Sequence, residues 1–243
     1  MTAIDVIILS NAKNDELKTI TLDCIRSLAD SENEDEINFK TLVIESNREM
    51  KPYQYPGTQT IYPEATFGYN RYLNIGINLT SSDYVCLCNN DLIFHKGWAS
   101  ELIKVFRQYP QIGSANPFCP LFGYHEKIIN GENVMWRRNT MDINGVVTGW
   151  CIFVKREILN KIGPLDERFT FWYADNDYDQ TLRKNKVDHV LVKSSVVTHL
   201  GSKSHDLLEK RKEELTTGQW TVYADKWHKK KPLEKFLRKL FKR

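Results

Sequence analysis

The chain has 243 residues, of which 41% are hydrophobic and 27% charged. This is the composition of an ordinary soluble globular protein that can bury a sizeable core, and a net charge of +3 is too small to indicate a nucleic-acid partner. Five scattered cysteines without metal-ligand spacing indicate reduced, mostly buried thiols in a cytosolic protein. The first nine residues are too short and too acidic for a signal peptide, and no apolar run could span a bilayer, so we expect a cytoplasmic protein.

Three short apolar runs in the first 91 residues predict strands, and a polar cluster follows each one. The runs are Ile4–Leu9, Leu42–Ile44 and Tyr84–Cys88, and the clusters are Ser10-Asn11, Glu45-Ser46-Asn47 and Asn89-Asn90-Asp91. If the strands are parallel with helical crossovers, all three clusters lie at the sheet edge where ligands bind in open α/β folds. Asp91 is a candidate ligand for a hard cation that holds a diphosphate. Taken alone, Asn89–Asp91 is equally typical of a polar turn.

The remaining pattern predicts a single domain in which helices alternate with strands. We expect helices that begin at Asn14 or Asp15, at Phe67, at Lys96, at Arg156 and at Tyr178, and strands over Thr58–Tyr62, Ile112–Pro120 (an edge strand broken by prolines), Val146–Val154 and Val187–Val197. Leu121–Asn144 is the least regular stretch, as functional loops often are. The predicted domain covers residues 1–228, with halves at 1–118 and 119–228.

An aromatic stretch, Phe171–Tyr173, precedes three alternating aspartates, Asp175, Asp177 and Asp179. Aromatic rings suit stacking on sugar or base faces, and an acid beside them can accept a proton. The same acids are also typical of the capped, negatively charged start of a helix. We expect one Asp to cap the helix Tyr178–Lys184 and another to face the site, and we expect Arg183 to pair with Asp179 at i−4.

A basic amphipathic tail closes the chain. Apolar residues fall at helical spacing through Pro232–Arg243, and lysines and arginines cover the other face. This pattern favours contact with an anionic membrane surface, which would suit a lipid-linked acceptor at the inner membrane. Docking of the tail, residues 229–243, on its own domain or on a second subunit, and contact with DNA phosphates, stay open as alternatives.

Several segments carry a motif resemblance in their order along the chain. They are Ile4–Asn11, Leu42–Asn47, Phe67–Gly76, Tyr84–Asp91, Thr148–Cys151, Ile162–Phe169, Tyr173–Arg183, His199–Ser204 and Gln219–Trp227. In this order they resemble glycosyltransferase family 2, whose GT-A fold has a mixed, mostly parallel α/β sheet flanked by helices. Three positions depart from the family pattern. The D-x-D motif keeps only its last acid, Asp91, Ala174 stands where the family has a Glu, and Glu45 or its neighbours replace the base-contacting Asp. The resemblance implies that residues 1–118 form the nucleotide-sugar-binding half and residues 119–228 the acceptor-side half.

The resemblance implies an inverting transferase that moves a sugar from a nucleoside diphosphate to a hydroxyl. Asp91 and His199 would hold Mn2+ or Mg2+, with the imidazole favouring Mn2+, and Asp175 would be the catalytic base. The polar strand ends and the family motifs together predict donor-binding residues (Ser10, Glu45, Asn47, Asn74, Asn90, Asp91) and acceptor-binding residues (Trp150, Trp172, Tyr173, Asp177). Asp177 is expected to orient or cap rather than to react, and core packing is an equal alternative for Trp150, Trp172 and Tyr173.

The resemblance leaves the substrates open. The donor would be a UDP-, dTDP- or GDP-sugar, and the acceptor a glycan, a lipid-linked glycan or a modified base in phage DNA. Oligomer formation is possible on this sequence. A degenerate module that binds a nucleotide sugar, or only scaffolds a partner, is the alternative to an enzyme, and Asn89 and Ala174 are the residues that favour it.

Overall fold

The computed structural model describes residues 1–129, 131–137, 146–201 and 217–228. Within these residues, nine strands form one mixed sheet. The strands are β1 (Thr2–Ser10), β2 (Ile37–Glu45), β3 (Gln59–Ile61), β4 (Tyr84–Asn89), β5 (Leu92–Phe94), β6 (Ile112–Phe118), β7 (Val134–Trp136), β8 (Cys151–Lys155) and β9 (Asp188–His199). Their order is β3-β2-β1-β4-β8-β6-β9-β5, and β7 also pairs with β9.

Helices cover both faces of this sheet. They are α1 (Asp15–Ala29), α2 (Tyr69–Asn78), α3 (Trp98–Gln108), α4 (Gly123–Ile128), α5 (Arg156–Ile162), α6 (Ala174–Lys184) and α7 (Gln219–Trp227), with a 3-10 turn at Arg48–Met50. The side chain of Asn14 caps α1 by accepting a hydrogen bond from Leu17 N, as the sequence predicted. No helix of the described residues combines the length and the apolarity needed to cross a bilayer.

The apolar run of β1 is continuous because both faces of this strand are buried. Ile4, Val6 and Ile8 pack with α1 and α3 on one face, while Ile7 and Leu9 pack with α2 on the other. At the α2 crossing, a Cβ added to Gly76 would lie 2.5 Å from Ile7 Cγ2, so the close approach of helix and strand requires glycine. The core therefore lies in two layers, one on each side of the sheet.

The parallel half of the sheet, β3-β2-β1-β4, brings the predicted polar clusters to one edge. Ser10 is in register with Glu45, and Leu9 with Asn89. The predicted α/β fold with a mostly parallel sheet core is thus confirmed, and it is completed by antiparallel pairing of β8 with β4 and β6.

Two predictions of local structure were wrong. The strand at Ile112 is internal, between β8 and β9. Its prolines are tolerated because it pairs with β8 only through Ser114 and Ala115, and because a register shift follows Pro117 on the β9 side. Helix α6 begins at Ala174 rather than Tyr178, so neither Asp175 nor Asp177 is its N-cap; both lie in its first turn, where the helix dipole favours negative charge.

A buried ion pair between Asp5 and Arg156 lies away from the polar clusters, near the opposite ends of the strands. The Asp5 carboxylate accepts hydrogen bonds from Ser82 N (2.6 Å), Ser82 Oγ (2.8 Å) and Arg156 Nη2 (2.9 Å). Arg156 also donates to the carbonyls of Ser82 and Ile77. This cluster ties β1, the start of α5 and the turn before β4 together. The predicted tail at 229–243 and the motif residues Ser202–Ser204 lie outside the described residues.

Candidate active site

The polar ends of β1, β2 and β4 are joined by one chain of side-chain hydrogen bonds. Asn90 Nδ2 donates to Thr21 Oγ1 (2.8 Å), which lies 3.0 Å from Ser10 Oγ. Ser10 Oγ lies 3.4 Å from the hydroxyl of Tyr55, and that hydroxyl donates to Glu45 Oε2 (3.1 Å). Sequence reasoning identified Ser10, Glu45 and Asn90 but missed the two residues that connect them. Thr21 looked like part of a helix face, and Tyr55 lies in a proline-bounded loop.

Glu45 organises the loops that follow β1 and β2. Its carboxylate is fully buried, and Oε1 accepts hydrogen bonds from Ala12 N (3.2 Å) and Asn47 N (2.7 Å). Asn47 Nδ2 donates in turn to Ala12 O (2.7 Å). Burial raises the pKa of Tyr55 to about 12, so its phenol stays protonated and donates to Glu45 at physiological pH. The contacts of Glu45 are thus internal ones that shape the two loops.

A surface groove lies beside these loops. Its lining includes the following charged and polar residues before and within α1 and after β2: Lys13, Asp15, Lys18, Asn47, Glu49 and Tyr53. The ammonium group of Lys18 lies 3.8 Å from the centre of the Tyr53 ring, a cation–π contact. The groove therefore combines charged groups of both signs with an aromatic face.

Asp91 and His199 meet where β5 pairs with β9. Leu92 is in register with His199, and Asp91 O accepts a hydrogen bond from Leu200 N (3.0 Å). His199 Nε2 lies 3.3 Å from Asp91 Oδ1. Trp150 stacks on the imidazole with ring centres 5.5 Å apart and planes at 10°. Residues 91, 150 and 199, far apart in sequence, thus form one cluster.

The polar atoms of this cluster fit a divalent cation. Asp91 is only 5% exposed, and among the described residues neither of its carboxylate oxygens, nor His199 Nε2, has a hydrogen-bond partner. Buried carboxylate oxygens without donors are costly, and a cation satisfies them. Carboxylate oxygen with imidazole nitrogen suits Mn2+, and oxygen ligands suit Mg2+. The described residues contain no group of three or more His, Cys, Asp or Glu suited to a metal.

Asp175 lies in a different cluster of side chains, beside the turn that precedes β8. Its half-buried carboxylate accepts a hydrogen bond from Asn176 N (2.9 Å), and the N–H of Gly149 also stabilises its ionised form. Burial raises the pKa of Asp175, and the backbone donors oppose that shift. A Cβ added to Gly149 would lie 3.4 Å from Asp175 Cβ, so the two residues are in close contact. Tyr69 donates its hydroxyl proton to Gly149 O at 2.6 Å.

Two of the predicted site residues, Asp177 and Asn74, make contacts that join helices to their neighbours. Asp177 is 3% exposed, and its Oδ1 lies 2.7 Å from both Trp227 Nε1 and Lys226 Nζ on α7. The Asn74 side chain donates a hydrogen bond from Nδ2 to Leu165 O and accepts one from Leu165 N at Oδ1, each at 2.9 Å. These bonds hold α7 to α6 and α2 to the loop before residue 169.

The predicted aromatic residues divide into buried and exposed rings. Trp150 is buried against His199, whereas Trp172 is 45% exposed and meets Phe171 edge-on. Tyr173 has φ 62°, a left-handed conformation that directs its ring toward Trp220 and Tyr223 of α7 at 5.6 and 5.5 Å. The motif segment Gln219–Trp227 covers this aromatic patch on α7, but the sequence did not place the patch beside Tyr173.

The ion pair predicted within α6 is confirmed, and a second arginine, Arg137, also pairs with the same aspartate. Arg183 Nε donates to Asp179 Oδ2 at 2.7 Å, four residues away. Arg137 Nη1 donates to the other oxygen of Asp179 at 3.0 Å. Asp179 is fully buried between the two guanidinium groups, so it stabilises α6 against the strands.

The sheet order and the strand-end cluster define a GT-A-type glycosyltransferase fold, and solved structures share it. One is a structure of GalNAc-T7 with UDP, GalNAc and Mn2+, at 11% identity and TM-score 0.62 over 81% of this chain and 43% of that one. Another is the mannosyltransferase PcManGT from Pyrobaculum calidifontis with GDP-Man and Mn2+, at 12% identity and TM-score 0.59 over 82% of this chain and 57% of that one. This chain thus spans about half the length of each.

A family model settles the membership that the motifs suggested. The model described as "Glycosyl transferase family 2" matches residues 3–163. The chain therefore belongs to glycosyl transferase family 2. No curated protein matches the sequence.

Proposed function

We propose that this protein is a metal-dependent, inverting glycosyltransferase that moves a sugar from a nucleoside diphosphate to an acceptor hydroxyl. The observation that carries the proposal is the pair of partnerless, buried Asp91 oxygens beside His199 Nε2, at the edge where β1, β2 and β4 end. In open α/β sheets, ligands bind at this edge. Family membership supports the same reaction class.

The donor would bind along the strand ends. Asp91 and His199 would hold Mn2+ or Mg2+, and the bound cation would supply Lewis-acid stabilisation of the leaving nucleoside diphosphate. The groove beside Asn47 and Tyr53 offers an aromatic face to the nucleotide and the ammonium groups of Lys13 and Lys18, with the carboxylates of Asp15 and Glu49 in the same lining. Both fold neighbours were solved with Mn2+, one with UDP and one with GDP-Man, which supports a UDP-, dTDP- or GDP-sugar here.

The other predicted donor residues would act by positioning. Ser10, Glu45 and Asn90 bond to one another through Thr21 and Tyr55, so they would fix the loops around the donor instead of contacting it. Asn74 would brace α2 through Leu165.

Asp175 would be the catalytic base. Its carboxylate would take the proton of the acceptor hydroxyl while that oxygen forms a bond to the anomeric carbon and the bond from that carbon to the diphosphate breaks. One displacement needs no enzyme nucleophile, so the anomeric configuration inverts. Burial raises the pKa of Asp175 and makes its carboxylate a stronger base than that of an exposed aspartate, while the N–H groups of Asn176 and Gly149 act in the opposite direction.

The acceptor would enter on the side of Asp175. Trp172, with its exposed ring, is the predicted aromatic residue available for stacking, whereas Trp150 would hold His199 in place. Tyr173 and Asp177 would fix the start of α6 against α7. A glycan, a lipid-linked glycan and a modified base in DNA each offer the required hydroxyl, and membrane contact through residues 229–243 stays a prediction.

A binding module without turnover is the second candidate. Ala174, which is buried at the start of α6, removes the carboxylate that the resemblance places beside Asp175. Such a module would keep the donor site and lose the chemistry.

A thermal-shift screen followed by turnover separates the two. Purified protein is melted with UDP-, GDP-, dTDP- and CMP-sugars, each with Mn2+ or with EDTA, because a ligand of the native state raises the melting temperature. We expect one nucleotide class to give a Mn2+-dependent shift and the matching donor to release nucleoside diphosphate in the presence of acceptors. A shift without any release would favour the binding module, and the absence of a shift with every donor would refute both.

A further inference from the structure

We infer that Tyr69 is a positioning residue for Asp175, acting through the backbone of Gly149. Sequence reasoning gave Tyr69 no role beyond the start of a helix. The inference rests on the proposed role of Asp175 as the base, and it adds a residue that sets how that base is held.

Tyr69 is fixed at both ends. It is the first residue of α2, and its backbone N–H donates to Thr170 O at 2.9 Å. Its ring packs against the small cluster around Phe169 and Ala174, next to Asp175. Its hydroxyl then reaches Gly149 O at 2.6 Å, a contact between residues 80 positions apart. The side chain therefore spans from α2 to the turn before β8.

Gly149 needs such a restraint because glycine has more backbone freedom than any other residue. A Cβ added to Gly149 would lie 3.4 Å from Asp175 Cβ and 3.7 Å from the Tyr69 hydroxyl oxygen, so all three groups meet at one point. The N–H of Gly149 is one of the donors that stabilise ionised Asp175. This N–H belongs to the peptide plane before the Gly149 Cα, in which Thr148 O accepts a hydrogen bond from Asn116 Nδ2 at 2.8 Å. The carbonyl that Tyr69 holds belongs to the plane after the Cα. The Tyr69 bond therefore restrains rotation about the Gly149 Cα, and with it the packing of Gly149 on Asp175.

The charges around Asp175 give the direction of the effect. Burial raises the pKa of Asp175 and the negative charge of Asp179 raises it further, while the N–H groups of Asn176 and Gly149 lower it. On the α2 side, burial raises the pKa of Tyr69, with smaller contributions from Asp175, Cys88, Cys151 and Asp91, so the phenol stays a donor at any working pH. Loosening the Gly149 N–H would remove a stabilising donor and raise the pKa of Asp175.

The same helix supplies a matched control. Tyr72 lies one turn after Tyr69 and donates its hydroxyl proton to Ala65 O at 2.9 Å, which is again a phenol-to-carbonyl bond. Ala65 belongs to the loop before α2 and not to the Asp175 cluster. Tyr69→Phe and Tyr72→Phe therefore each remove one hydroxyl from α2, and only the first removes a contact to Gly149.

Two readouts test the inference on the full-length protein. The first is the carboxyl titration of Asp175 by NMR with 13C-labelled aspartate, in which Asp175→Asn assigns the signal. We expect Tyr69→Phe to move this titration to a pKa higher by about 0.5–1 unit, and Tyr72→Phe to leave it unchanged. The second is the pH profile of transfer: the acid limb should move up by the same amount, with donor affinity unchanged within about twofold. Melting curves of both variants check that each is folded.

The outcomes separate the inference from the proposed function. An Asp175 titration in Tyr69→Phe that matches the wild type would overturn the inference, and so would an equal shift in Tyr72→Phe, since that would be general loosening of α2. The NMR measurement does not require turnover. A wild type that lacks transfer would therefore refute the proposed function while the positioning of Asp175 by Tyr69 is still decided by the titration.

Discussion

Replacing Asp91 with asparagine should stabilise the metal-free protein. Asp91 is 5% exposed, and among the described residues its two carboxylate oxygens receive no hydrogen bond. A buried polar group without partners costs about 1–3 kcal/mol, and a charged group costs more. Asp91→Asn keeps the shape and removes the charge, so in EDTA we expect a gain in unfolding free energy of about 1–3 kcal/mol. A chain of this size gains roughly 2–4 °C in melting temperature per kcal/mol.

The same substitution should remove the response to metal. A ligand that binds only the native state at 100 times its Kd stabilises it by about 2.7 kcal/mol, which corresponds to roughly 5–11 °C at the same conversion. Wild-type protein should show a shift of this size on addition of Mn2+ with nucleoside diphosphate. Asp91→Asn should show none, because the carboxylate is the charged ligand of the pair with His199.

The assay is a set of melting curves at pH 8, with EDTA or with Mn2+ and nucleoside diphosphate. Asp23→Asn is the control, because Asp23 is an exposed carboxylate that pairs only with Arg26 in the described contacts. It should change neither the stability nor the metal response by more than about 1 kcal/mol. A metal-free Asp91→Asn protein that is less stable than the wild type would refute the reasoning, since the 3.3 Å contact between Asp91 Oδ1 and His199 Nε2 would then stabilise the carboxylate without metal. A retained Mn2+ shift would place the metal elsewhere.

Three further predictions follow from single contacts. Asp175→Asn should lower the rate of transfer by about 10²–10⁴-fold, the usual contribution of a general base. Its donor affinity, measured by calorimetry, should be unchanged. In the wild type, kcat/KM should fall as the pH drops through the raised pKa of Asp175, because only the ionised form accepts a proton. Arg156→Met should cost about 3–5 kcal/mol in urea unfolding, because it leaves the charge of Asp5 buried without its partner. Gly76→Ala should cost about 1–3 kcal/mol, since its Cβ would lie 2.5 Å from Ile7 Cγ2.

Each of these predictions has a contrasting variant or a contradicting result. Unchanged turnover of Asp175→Asn would remove Asp175 as the base. Arg26→Met, at an exposed pair with Asp23, should cost no more than about 1 kcal/mol, and an equal loss at Arg156 would show that burial of its pair does not matter. Gly123→Ala is the control for Gly76, because nothing lies within 4 Å of the position of its added Cβ. Equal effects at both glycines would contradict the packing argument.

Most of the elements and their buried faces follow from local sequence alone. Apolar periodicity placed α1, α3 and α5 and the strands β1 and β4 within a few residues of their observed bounds, and it found only the C-terminal part of β2. Local rules were also sufficient for the Asn14 cap and for the Arg183–Asp179 pair, because both partners lie within four residues of each other. Polar residues at three strand ends indicated the edge of the sheet that holds the candidate site.

Which groups meet across the molecule depends on the tertiary structure. Tyr69 and Gly149 are 80 residues apart, and the Thr21–Asn90 bond that helps to connect the strand ends spans 69. Asp177 looked like Asp175 in the sequence, yet Lys226 of α7 neutralises it, whereas Asp175 faces Gly149. Periodicity shows which face of an element is buried, but the sheet order and the helix crossings determine what lies opposite. This is why the internal position of β6 and the positioning of Asp175 had to come from the fold.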